Sequence, residues 1–167
     1  MNIDKLFSNK ELLEKELKFF KDRKHVKIIE ENEELVGAHI KKARHNMKFF
    51  RKNNDDGEFN DWLIVILYYS LYHAALALIT EKKYTSKNHY ATILLLIKEY
   101  SITREEARLM QKLSISREDA ELYTNLKEDR HDASYSSDTR FESETIKDYE
   151  HKVIDFLNKT EEIIINS

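Results

Sequence analysis

The chain has 167 residues, no cysteine, no proline and two glycines. Disulfide frameworks, thiol catalysis and thiolate metal sites are therefore excluded, and glycine-rich phosphate cradles have almost nothing to be built from. With 28 basic against 31 acidic residues the formal charge is -3, which argues against a globally basic nucleic-acid binder while leaving room for a local basic face.

The length fits one domain with a helical addition. Residues 1–34 read as an N-terminal helical extension and residues 35–167 as the bundle proper. No apolar stretch follows the first charges, so no secretory signal is expected at this end, and the expected location is cytoplasmic.

Helical start signals of the form Ser/Thr-x-x-Glu/Asp recur at Ser8–Glu11, Thr103–Glu106, Ser116–Asp119 and Thr139–Glu142. In each, a hydroxyl and a carboxylate can satisfy orphan backbone donors reciprocally. The first predicted helix carries Leu13, Leu17 and Phe20 on one face. The second carries Val36, Ile40, Ala43, Met47 and Phe50 at alternating spacings of four and three. It ends in the turn-rich cluster Asn53-Asn54-Asp55-Asp56-Gly57.

The third helix, over residues 59–82, is the apolar one. Its uncharged run from Trp62 to Ile79 reaches the lower edge of a membrane-spanning length. Tyr68, Tyr69, Ser70, Tyr72 and His73 lie in the middle of that run, where hydrocarbon tolerates them least, so a buried central helix is the better reading and no membrane partner is expected. A fourth helix follows over 88–100, then two shorter ones near 104–112 and 117–129. A polar loop is expected over 132–138. The last helix carries Ile146, Tyr149, Val153, Phe156 and Ile163. No segment alternates with period two, so no sheet is predicted. The fold class is all-α, an antiparallel bundle of roughly four to five main helices plus short ones.

The seven histidines include no His-x-x-x-His pair, and no Glu-x-x-His pair recurs on two helices, so neither metal nor cofactor is expected. No nucleophile elbow exists. Two features stand out from this background. Lys41, Arg44, Lys48 and Arg51 line one face of the second helix, with no acid between residues 38 and 54. Such a face suits phosphates, and it equally suits a solvated surface pairing with neighbouring acids.

The second feature is three polar clusters in order: Tyr68-Tyr69-Ser70-Leu71-Tyr72-His73-Ala74-Ala75, then Lys87-Asn88-His89, then Arg130-His131-Asp132-Ala133-Ser134-Tyr135. Tyr69 and His73, four apart, share a helix face. The order resembles the HEPN superfamily (higher eukaryotes and prokaryotes nucleotide-binding), especially its small stand-alone prokaryotic and archaeal members, over residues 35–156.

The resemblance implies a helical bundle that forms a homodimer, with the polar signature near a cleft at the dimer interface. It also implies a place beside a minimal nucleotidyltransferase in a toxin–antitoxin or defence system, or a metal-independent endoribonuclease activity. In nuclease members an arginine precedes a histidine a few residues downstream. There the histidine moves a proton of the ribose hydroxyl and the arginine stabilises charge on the phosphate. In this chain the corresponding positions hold Tyr135, Ser136 and Ser137, and His131 directly adjoins Arg130.

Three readings follow. The first is a non-catalytic or weakly catalytic protein binding RNA, a nucleotide or a nucleotidyltransferase through Arg130, Asp132, Tyr135, Lys87, His89, Tyr69 and His73. Tyr135 would then be a candidate acceptor for nucleotidylation. The second is an endoribonuclease using Arg130 with His131, or with His73 or His89. The third is a structural dimerisation module.

Overall fold

A computed structural model of the chain describes residues 3–54, 59–128 and 142–167, with backbone only for 118–128. The described residues form helices α1 (Asp4–Ser8), α2 (Lys10–Asp22), α3 (Glu33–Asn53), α4 (Asn60–Glu81), α5 (His89–Tyr100), α6 (Arg104–Glu128) and α7 (Ser143–Ile165). The protein is an all-α bundle with one small addition, the strands β1 (Val26–Ile28) and β2 (Tyr84–Ser86).

Helix α4 is the hub. It packs along α3 and also against α5, α6 and α7. Leu63, Ile64, Leu67, Leu71, Leu78 and Ile79 are all essentially inaccessible. A helix apolar nearly all round is stable only when other helices cover it. Among the described residues α4 is the one helix long and apolar enough to cross a membrane, and 72% of its most apolar stretch is buried inside the protein. Its hydropathy thus serves a protein core.

The pairing of α3 with α4 is close. Buried Ser70 donates to the Ala43 carbonyl at 3.0 Å, and the His39 and His73 rings meet one turn further along. These two contacts fix an antiparallel register. On α3, Val36, Ala43, Met47 and Phe50 are buried, the stripe expected from spacing.

Two expectations need correction. No sheet was predicted, yet β1 and β2 pair antiparallel, Val26 opposite Ser86 and Ile28 opposite Tyr84. Each strand has three residues, too few to display an alternating pattern. Each follows a lysine in the left-handed region, Lys24 with φ 58° or Lys83 with φ 62°, a conformation with no strong lysine signature. The two short helices predicted between residues 104 and 129 are one continuous helix, α6. The Ser116–Asp119 motif lies inside it and starts nothing.

Described residues of the N-terminal segment contribute to the main core. Leu6, Leu13, Leu17 and Val26 belong to the same buried cluster as α4 and α5, and α2 packs on α5. Helix α2 begins one residue later than the Ser8 signal suggests, because the Asn9 side chain accepts from Leu12 N–H at 2.9 Å. The start of α6 is the expected capping box. Thr103 N–H donates to Glu106 Oε2 at 2.6 Å, and Glu106 N–H donates to Thr103 Oγ1 at 3.1 Å.

Candidate functional site

Asn88 ends the β2 connection and caps α5, its side chain accepting from Ala91 N–H at 2.9 Å. That cap sets His89 at the first turn of α5, facing α4. The first two sequence clusters therefore meet in space. Tyr68 and Tyr72, one turn apart on α4, stack with ring centroids 5.7 Å apart and planes 9° from parallel. His89 closes over both, at centroid distances of 5.5 Å and 5.9 Å. The Tyr68 hydroxyl lies 3.5 Å from His89 Nδ1, a loose contact rather than a strong bond.

Helix α6 supplies a cation. The Arg117 guanidinium sits 4.8 Å from the Tyr68 ring centre, within cation–π range. Its charge and the burial of the ring act together on His89: desolvation chiefly, then Arg117, pull its pKa down from 6.5 to about 4, with the Met110 carbonyl opposing. Burial likewise pushes Tyr68 up to about 12, the neighbouring Tyr72 adding to this and Arg117 opposing it. At neutral pH the cluster consists of a neutral imidazole, neutral phenols and one arginine.

His73 is not part of this cluster. It faces α3, where its Nδ1 lies 3.0 Å from His39 Nδ1. One ring must donate and the other accept, so the pair cannot hold two protons without opposing N–H groups. Burial first, then His39 and Lys42, lower His73 to about 4, and burial lowers His39. Tyr69 shares the His73 side of α4 and is 37% exposed. The Lys87 side chain is exposed, while its backbone N–H donates to the His25 carbonyl at 3.0 Å. Arg130, His131, Asp132 and Tyr135 lie outside the described residues.

The basic face of α3 divides. The Arg44 guanidinium donates from Nε to Glu161 Oε1 on α7 at 2.7 Å, and its Nη2 pairs with the other carboxylate oxygen. Lys41 lines a groove of about 690 Å³ between α3, α4 and α7, whose walls include Glu31, Glu33, Glu81 and Glu161. Lys48 and Arg51 are exposed. Among the described residues no group of three or more His, Cys, Asp or Glu side chains is placed to hold a metal ion.

Arg117 and His39 were not singled out in the sequence. Arg117 carried a weak signal, a basic residue following the small residues Ser114 and Ser116 in a helix. His39 carried none, because its meaning appears only once α3 is registered on α4. A scan against protein-family models and a search of curated proteins both return no match.

Proposed function

We propose that the chain is a HEPN-like helical bundle that binds RNA or a nucleotide and performs little or no chemistry on it. It would act alone, as a homodimer, or beside a minimal nucleotidyltransferase in a toxin–antitoxin or defence setting. The observation that carries this reading is the meeting of two distant motifs: Tyr68 and Tyr72 on α4 against His89 on α5, with Arg117 of α6 over the first ring. Aromatic rings, an arginine and a neutral imidazole are the groups that hold a base and a phosphate without a metal; Tyr68 is itself buried, at 5% exposure, so a ligand would reach the cluster from its edge. Arg130, a few residues beyond α6, would add phosphate charge.

The protonation states of His73 and His89 favour binding over catalysis at these two residues. General acid–base catalysis works best with a pKa near the operating pH. His73 and His89 both lie near 4, so at neutral pH neither is an imidazolium able to act as an acid, and as bases both are weak. The endoribonuclease reading requires Arg130 with His131, or a change of environment at His73 or His89.

RNA cleavage in EDTA separates the two. The expected result is intact RNA with both the wild type and Arg130→Ala. Cleavage by the wild type that disappears in Arg130→Ala would establish the nuclease and overturn the binding reading.

A further inference from the structure

The face of α4 left open by the other helices is aromatic. Trp62 is 49% exposed and Tyr69 37%. Half-buried Ile66 and His73 share their stripe, at offsets of four, seven and eleven from Trp62. In a protein whose central helix is otherwise sealed, two large rings left in water on one line call for a covering partner.

Beside this line runs a second stripe on α3, Lys42, His45, Phe49 and Lys52, every member exposed. The contacts of His39 with His73 and of Ser70 with Ala43 fix the register. In it Lys42 falls next to His73, whose protonation it opposes, and Phe49, 47% exposed, falls opposite the Trp62–Ile66 turn. Asn46 lies at the seam, 5% exposed, with its amide nitrogen unpartnered. The two stripes carry no carboxylate. They also differ from the Lys41–Arg51 face, which turns towards α7 and is partly neutralised there by Glu161.

We infer that this α3–α4 surface is a track for single-stranded nucleic acid, with bases stacked on Trp62, Tyr69 and Phe49 and phosphates drawn to Lys42 and Lys52. Charge decides the occupant. A second copy of the chain docked here about a twofold axis would bring Lys42 and Lys52 of both copies into one interface, with no carboxylate from either stripe to offset them. A polyanion whose bases offer flat faces meets both stripes at once. From Trp62 to His73 the helix rises about 16 Å, enough for roughly three stacked nucleotides. The inference rests on the nucleic-acid reading of the protein but not on Arg130.

The test is the fluorescence anisotropy of labelled oligouridylate and oligodeoxythymidylate, titrated with the full chain over a range of salt. The substituted residues are exposed, and thermal melts by circular dichroism verify that each variant is folded. The double variant Trp62→Ala/Tyr69→Ala is expected to weaken binding by roughly tenfold or more at every salt concentration. Lys42→Gln/Lys52→Gln is expected to flatten the slope of log affinity against log salt by roughly 1.4. Aromatic variants that bind as tightly as wild type would overturn the track. If Arg130→Ala alone abolishes binding in the same titration, the reading at Arg130 survives that failure. A wild type that binds neither strand also overturns the track, and so does a Trp62/Tyr69 variant whose only change is weaker self-association in sedimentation.

Discussion

Acidification should destabilise this protein well before its carboxylates are protonated. His89 and His73 both have folded-state pKa values near 4 against 6.5 for the free side chain, and His39 is lowered too. Between those values the unfolded chain binds protons that the folded chain refuses, so folding stability rises with pH. The stability these groups contribute is fully present above about pH 6.5 and is lost as pH falls towards about 4.

For His89, the more enclosed of the two, the loss approaches about 3 kcal/mol at its upper bound. The half-exposed His39–His73 pair adds less, because solvent screens it. Around His89 the relevant neighbours are Arg117, Tyr68, Tyr72 and the Met110 carbonyl; around His73 they are His39 and Lys42. Urea unfolding at about pH 7.5 and about pH 4.5 measures the loss. His89→Leu should remove a large part of the wild-type difference, since leucine fills the site without titrating. An unchanged pH dependence in that variant would mean that folding leaves the pKa of His89 where it is in the unfolded chain.

The second large effect lies in α4. Leu67 is fully enclosed on the helix against which α3, α5, α6 and α7 all pack. Its replacement by alanine removes buried methyl groups and leaves a cavity that surrounding helices cannot easily close. A loss of about 2–5 kcal/mol is expected, a large share of the roughly 5–15 kcal/mol that holds a typical domain. Phe49→Ala on the exposed stripe should change stability by only about 0.5 kcal/mol. Urea midpoints for the two variants give the comparison directly. A Leu67→Ala cost near that of Phe49→Ala would contradict the central role of α4.

These two predictions also mark what the amino-acid sequence disclosed. The apolar stripe of α3 and the uninterrupted apolarity of α4 were plain, because helical periodicity is a local signal and burial of one face is what enforces it. Caps were visible where a full capping box exists, as at Thr103 and Glu106. They were less visible where a single asparagine does the work, as at Asn9 and at Asn32, whose side chain accepts from Leu35 N–H at 2.8 Å to start α3, since asparagine also marks ordinary turns. The β1–β2 ribbon was invisible. Three-residue strands joined across α3 and α4 are defined by a partner nearly sixty residues away, not by their own pattern.

The candidate site was half legible. His89 could be picked out, but on α4 the sequence pointed to Tyr69 and His73; that Tyr68 and Tyr72 are the rings His89 meets needed the α4–α5 packing. The same holds for the separation of His73 from His89: His73 meets His39 on α3, while Tyr69, on the same stripe of α4, stays partly exposed. Arg117 joined the cluster because α6 runs unbroken past Ser116, where a start signal had suggested a new helix. The basic row on α3 looked uniform in sequence and is not. Arg44 is tied to Glu161, while Lys42, on the other flank, stands beside His73.

The central claim is that RNA binds where α4, α5 and α6 meet around Tyr68, Tyr72 and His89 and along the open face of α4. Photo-crosslinking of the full chain to 4-thiouridine RNA, with the adducts located by peptide mass spectrometry, tests it most directly. The account predicts adducts on peptides carrying Tyr69, His73 and Lys87, competed away by unlabelled RNA. Adducts confined to α2 or α7, or none above a non-binding control protein, would contradict it.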